Sequence, residues 1–261
     1  MKCTVQTVAD ALNRLAPRRL AEDWDNPGLL VGDPTAEVEG IFVCLDVLDA
    51  QISRAIELGA QLIVAHHPLI FRPIKNIRLD LPLGKKLARL IKNDVAVFAA
   101  HTNLDSAAGG VNDVLAGKIG LVDVKPLGDD EIAMGRIGRL ETPMTAEDFA
   151  RHVKQALDAD NVRLICAGDF QIGKVGVCGG AGAEFIQRAK FFGAQAFVTG
   201  DVKYHEAQAA VEGRIHVVDA GHFATEYPIV HELAAYLSEE LKDFDVRIIE
   251  NASAEDFFAT I

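Results

Sequence analysis

Two adjacent imidazoles, His66 and His67, follow an apolar run from Gln61 to Ala65 and precede Pro68. Histidines delivered at the end of a short buried strand read either as transition-metal ligands through a ring nitrogen or as solvated, hydrogen-bonded side chains. Neighbouring residues on a strand point to opposite faces, so the pair is expected to serve two ions, or two sides of one cluster. Two more histidines share a second pattern. His101 stands four residues before Asp105, and His222 four before Glu226, each after an apolar run (Val95 to Ala100 and Ile215 to Ala220). On a helix this spacing puts imidazole and carboxylate one turn apart. Together these residues offer up to six nitrogen and oxygen ligands, enough for two divalent ions with positions left for water.

The elements that must position them follow from periodicity. Gly40 to Asp46, Asp49 to Leu58 and Gln61 to Ala65 read as strand, helix and strand, with Gly59 ending the helix. That is a βαβ unit and implies a parallel pair. A helix from Leu83 to Asn93 and a strand from Val95 to Ala100 come next. In such sheets ligands gather outside the carboxyl ends of strands, where the histidines fall. The second half repeats the order: strand Val175 to Gly179, helix Ala183 to Phe192, strand Ala196 to Thr199, helix Val202 to Ala210, strand Ile215 to Ala220. A helix from Ala224 to Lys242 and a strand from Val246 to Ile249 finish it.

Sliding residues 43–67 onto 177–201 without a gap pairs Arg54-Ala55 with Arg188-Ala189 and Gly59-Ala60-Gln61 with Gly193-Ala194-Gln195. Apolar patterning alone does not produce such identities, so an internal duplication is expected. The fold class read from the chain is α/β: two similar α/β lobes from an internal repeat, with mixed, partly parallel sheets and the metal site between the lobes. Residues 1–127 form the first lobe, 128–173 a strand-helix-strand connector and 174–261 the second lobe, together one compact unit.

Composition narrows the class. The 261 residues are 49% hydrophobic and 25% charged, and no run approaches the length of a membrane span. The N-terminal stretch from Met1 to Gln6 lacks a hydrophobic signal region, so a cytoplasmic location is expected. Cys3, Cys44, Cys166 and Cys178 show no C-x-x-C spacing and are expected to be reduced, buried small hydrophobes. The net charge of −12 opposes binding to a phosphate backbone, and nucleic acid is not an expected partner. The segment around the only tryptophan, Trp24, reads as a turn-rich loop or the rim of a pocket. Gly179-Gly180-Ala181-Gly182 reads as a phosphate cradle or as a tight turn with close packing; Phe185 breaks the dinucleotide fingerprint. Lys203, Tyr204 and His205 open a helix, facing either substrate or solvent.

The blocks Trp24-Asp25-Asn26-Pro27-Gly28-Leu29, Ala65-His66-His67-Pro68-Leu69, His101-Thr102-Asn103-Leu104-Asp105, Gly200-Asp201-Val202-Lys203-Tyr204-His205 and Gly221-His222-Phe223-Ala224-Thr225-Glu226 resemble the GTP cyclohydrolase I type 2 homologue family, also described as Nif-three-like proteins. The resemblance covers nearly the whole chain. It implies His66, His67, Asp105, His222 and Glu226 as metal ligands, with His101 as a further ligand or a group lining the site. It also implies two divalent cations per chain (Zn, Fe, Mn, Co or Ni), a toroidal homohexamer built as a trimer of dimers, and the compact family form without an inserted domain. The activity expected is metal-dependent hydrolysis, with the imidazole ring of GTP as substrate and His101 or His205 as the catalytic proton donor. The alternatives are a non-catalytic, ring-forming metal protein and a phosphoesterase using the same ions.

Overall fold

The structure is a computed structural model that describes residues 2–128, 133–252 and 256–259. Residues 129–132 of the expected connector and the outermost residues of the expected lobes, 1 and 260–261, lie outside them. The chain divides into two compact units, Met1–Ala107 with Val230–Glu255 and Ala108–Ile229 with Asp256–Ile261.

The first unit opens with helix α1 (Val5–Leu15). Thr4 caps it: its side chain accepts the Thr7 N–H while the Thr7 hydroxyl takes the N–H of Thr4. Val5, Val8 and Leu12 bury one face. Then come β1 (Gly28–Val31), β2 (Gly40–Cys44), α2 (Asp49–Glu57), β3 (Leu62–Ala65), α3 (Pro82–Lys92), β4 (Ala96–Ala99) and the short α4 (Thr102–Ser106). Strands β2, β3 and β4 run parallel, and every residue in them is buried, as expected of strands covered on both faces. Phe42, Ile63 and Val97 pack with Ile52 and Ala55 of α2 and Leu87 and Leu90 of α3.

The second unit contains α5 (Val111–Lys118), β5 (Val122–Pro126), β6 (Arg136–Met144), α6 (Ala146–Ala156), β7 (Arg163–Ile165), β8 (Ile172–Val177), α7 (Ile186–Phe191), β9 (Ala196–Thr199), α8 (Tyr204–Glu212), β10 (His216–Asp219) and α9 (His222–Glu226). Helix α10 (Pro228–Glu240) then leads back to the first unit, which it completes with β11 (Arg247–Glu250).

Both sheets are mixed, and the repeat is visible in their topology. Among the described residues the first sheet has the order β1-β4-β3-β2-β11 and the second β5-β6-β8-β9-β10-β7. In each, three successive strands lie side by side and parallel, β2-β3-β4 and β8-β9-β10, and one more strand pairs antiparallel with the last of them.

The repeated Gly-Ala-Gln does the same work twice. Gly59 and Gly193 adopt left-handed backbone (φ +66° and +85°) to end their helices. Gln61 Oε1 then accepts the N–H groups of Glu39 and Gly40, and Gln195 Oε1 those of Gly173 and Lys174. Each amide side chain thus fixes where the neighbouring strand of its βαβ unit enters the sheet.

Three expectations about the elements change. Residues 128–173 are not merely a connector, because β6 and β7 are strands of the second sheet, pairing with β8 and β10. The last strand does not extend the second sheet; Arg247–Glu250 pairs parallel with Gly40–Val43 of β2 in the first. The expected helix over Ala224 to Lys242 is two helices, α9 and α10, parted where Pro228 lacks the N–H that would continue the first. Cys166 is exposed, against expectation, whereas Cys3, Cys44 and Cys178 are buried. No helix among the described residues is long and apolar enough to cross a membrane.

Candidate metal centre

In the first unit the donors stand just past the carboxyl ends of β3 and β4. His66 and His67 continue the ladder through their backbone, donating N–H to Cys44 O and Leu45 O, but the strand has ended at Ala65. The strict alternation expected of the pair therefore fails: their rings lie together, with centroids 5.0 Å apart. The His101 ring joins them at 5.2 Å from His66 and 5.8 Å from His67. One nitrogen from each of the three lies within 4.8 Å of the others, close enough to hold one ion. Asp105, one turn along α4, places Oδ1 3.6 Å from His66 Nε2.

Each of these imidazoles is oriented through Nδ1. His66 Nδ1 donates to the carbonyl of Ala100 (2.8 Å), His67 Nδ1 to Asp46 Oδ1 (2.9 Å) and His101 Nδ1 to Asp25 Oδ1 (2.8 Å). A carbonyl can only accept, so His66 Nδ1 carries a proton, as in the tautomer that binds metal through Nε2. Carboxylates at the other two rings favour the same tautomer, and this outer support is the usual companion of metal-ligating histidine. Asp25 is buried and also accepts the N–H and hydroxyl of Thr102. Burial pushes its pKa up, but the hydrogen bonds from His101 and Thr102 outweigh this and bring it down to about 2.

The second unit offers a parallel arrangement. His222 and Glu226 bracket α9, with Nε2 and Oε2 3.0 Å apart, and His222 Nδ1 lies 2.7 Å from Asp201 Oδ2. Asp201 (φ +56°) and Gly221 (φ +86°) both have left-handed backbone. Asp219 steadies the two turns by accepting the N–H groups of Val202 and Gly221, and it pairs with Arg163.

The repeat also explains why the second copy lacks a histidine doublet. The slide that superposes the halves puts Gly200-Asp201 on His66-His67. The second copy has one additional residue, Gly221, before its later histidine, and its backbone closes the space. A Cβ at position 200 would stand 2.6 Å from His222 N and 2.7 Å from Gly221 C.

Asp25, Asp46 and Asp201 were not singled out by sequence reasoning as partners of the imidazoles. Only the register of Asp201 with His67 in the repeat could have pointed to one of them. His205, expected as a proton donor, lies exposed on the first turn of α8 with Nδ1 3.4 Å from Gln208 Oε1, and it belongs to none of the donor groups.

Gly179-Gly180-Ala181-Gly182 adopts the tight turn of the two readings. The N–H groups of Gly179, Gly180 and Gly182 are taken by Asn112, Thr225 and Thr199. The turn packs against α9: a Cβ on Gly180 (φ +62°) would stand 2.1 Å from Glu226 Oε1 and 3.2 Å from His222 Nε2. Gly180→Ala is therefore expected to displace the Glu226 carboxylate. Metal titration should show at least the roughly 10–100-fold loss of affinity that follows from disturbing a ligand's support. The fold should lose only about 1–3 kcal/mol for the strained backbone. Unchanged metal affinity would refute this placement of Glu226.

Fold and donors together define a class: an α/β protein built on a duplicated parallel βαβ element that carries histidine and carboxylate groups able to hold divalent metal. The chain matches the family DUF34/NIF3 (NGG1p interacting factor 3) over residues 3–256, and it belongs to that family. A relative from Clostridium perfringens named GTP cyclohydrolase 1 type 2 homolog is 37% identical over 97% of this chain and 98% of its own. Another of that name, from Streptomyces coelicolor, is 34% identical over 95% and 91%. Among solved structures, a Bacillus cereus protein related to NIF3 superposes with TM-score 0.95 at 28% identity, covering 100% of this chain and 99% of that one. Reduced HcgD from Methanocaldococcus jannaschii gives TM-score 0.83 at 30% identity, over 95% and 98%.

Proposed function

We propose that the protein is a dinuclear, divalent-metal-dependent hydrolase acting on a nucleotide. The ligands of this reading are His66, His67, His101 and Asp105 of the first unit and His222 and Glu226 of the second. The observation that carries this reading is the shared orientation of four imidazoles: each meets a carboxylate or carbonyl at Nδ1, the support usual for a histidine that binds metal through Nε2. Mixed imidazole and carboxylate donors suit Zn, Fe, Mn, Co or Ni. Such ions supply a nucleophilic water at neutral pH and polarise the bond under attack.

The residues of this chain have separable tasks. Asp46, Asp25 and Asp201 fix the tautomers of His67, His101 and His222. Asp105 and Glu226 bring the negative charge that a pair of dications requires. His101 has a single Nε2, so it serves either as a further ligand or, lining the site outside the ligand set, as proton donor; partly exposed and backed by Asp25, it is the better placed of the two expected donors. His205 would act only by meeting substrate at the exposed start of α8. The name shared by the relatives suggests the imidazole ring of GTP as the bond under attack, and the reading extends to a homohexamer in the cytoplasm.

The test is metal analysis of the purified protein combined with an assay of formate release from GTP. About two ions per chain with formate release that disappears on chelation is the expected result. Stoichiometric metal without nucleotide turnover would leave the non-catalytic metal protein, and turnover of simple phosphate esters instead would favour the phosphoesterase. Protein that takes up no divalent metal would end the proposal.

A further inference from the structure

Beside His101 stand two aromatic side chains that the ligand set does not use. Trp24 and Phe71 are 59% and 43% exposed, an expensive state for large apolar rings unless something covers them. They are not loosely placed. The Trp24 ring lies edge-on to Phe71 (centroids 5.7 Å, 66°) and to His101 (6.2 Å, 74°), and Phe71 lies edge-on to His101 (6.1 Å, 83°).

The backbones that carry them are pinned nearby. Asn26 Nδ2 donates to Ile70 O at 2.7 Å, tying the tryptophan loop to the residue before Phe71. Asp25, next to Trp24, is fixed by His101 and Thr102. Exposed rings held in a set geometry are preorganised for a flat partner, since little ordering entropy is lost on binding.

The charge nearby has an unusual sign for this protein. The chain carries −12 overall, yet between Phe71 and Leu81 it has Arg72, Lys75 and Arg78 against Asp80 alone. Arg78 is paired with Asp80, while Arg72 and Lys75 lie exposed. A ring face with a second ring standing at its edge, beside a locally basic segment, matches a ligand that joins a heteroaromatic base to an anionic group.

We infer that Trp24 and Phe71 form a stacking platform for the base of a nucleotide, with Arg72 and Lys75 drawing its phosphate to the same segment. The platform names the substrate element that His101 would face, and in that respect it rests on the hydrolase reading above. Base stacking on aromatic side chains tolerates different bases because each presents a π face. Selectivity at this platform should therefore be for base over sugar phosphate rather than for one purine over another.

Trp24 is the only tryptophan in the chain, so intrinsic fluorescence reports on the platform directly. Full-length, metal-loaded protein would be titrated with GMP, guanosine and ribose 5-phosphate. The expected result is saturable quenching by GMP, weaker binding of guanosine and no effect of ribose 5-phosphate. Phe71→Ala should weaken GMP binding by roughly five- to hundredfold, the range for loss of one stacking contact, while Phe71→Tyr restores it. Metal content should be the same in all three proteins.

Absence of saturable quenching by GMP, equal binding of ribose 5-phosphate, or undiminished affinity in Phe71→Ala would overturn the inference. Guanosine binding as tightly as GMP would overturn the role given to Arg72 and Lys75. Protein that lacks metal yet binds GMP through Phe71 would uphold the platform while removing the hydrolase reading, so the two fail separately.

Discussion

Asp105→Asn and Glu226→Gln are each expected to remove metal-dependent activity while leaving the polypeptide folded. Both carboxylates are buried, at 8% and 4% exposure, on short helices just past the sheet edges, and each faces an imidazole Nε2 in its own unit. In the proposed centre, neutralising either one takes away a charged ligand outright. Activity should therefore fall by more than the roughly 10–100-fold that accompanies loss of a ligand's outer partner.

The stability effect should change sign with metal. In chelated protein a buried carboxylate is costly, so the amide variants should match or exceed wild type. In excess metal, wild type gains the binding free energy, about 2.7 kcal/mol at a hundredfold excess over Kd. For a chain of this size that raises Tm by roughly 5–10 °C, and the variants should lack most of the rise. Thermal unfolding with chelator and with added Mn or Zn checks both halves. Equal metal response in wild type and both variants would sink the ligand assignment.

A second large effect is expected at an ion pair outside the donor set. Arg136 on β6 is buried, and its guanidinium meets both oxygens of Asp113 on α5 as well as the carbonyls of Ala133 and Gly135. Asp113 also takes the N–H of Gly109, which steadies the entry to α5. Asp113→Ala leaves a buried cation without its carboxylate, a loss that typically costs about 3–5 kcal/mol. The Asp113 side chain is 30% exposed and water can partly replace it, so the lower end applies, about 3 kcal/mol. Tm should drop by roughly 6–12 °C, read by calorimetry, with metal stoichiometry unchanged in the folded protein. A drop of less than about 2 °C would show that the pair contributes little.

The elements of the parallel core could be read from the chain because local chemistry decides them. Apolar runs bounded by Gly and Pro gave β2, β3, β4, β9 and β10 to within a residue or two. The spacings His101 to Asp105 and His222 to Glu226 likewise became the single helical turns α4 and α9. Even the duplication was legible, since Gln61 and Gln195 are kept for the same hydrogen bonds in both copies.

The chain by itself thus determined which side chains can donate to metal and at which strand ends they stand, because residue type and periodicity are local properties. Only tertiary structure decided that β11 joins the first sheet, that β6 and β7 build the second, and that Asp25 supports a histidine 76 residues away. Pairing of an edge strand and partnering of a buried carboxylate depend on which surfaces packing brings together. A short polar residue in a loop carries no periodicity from which that could be read.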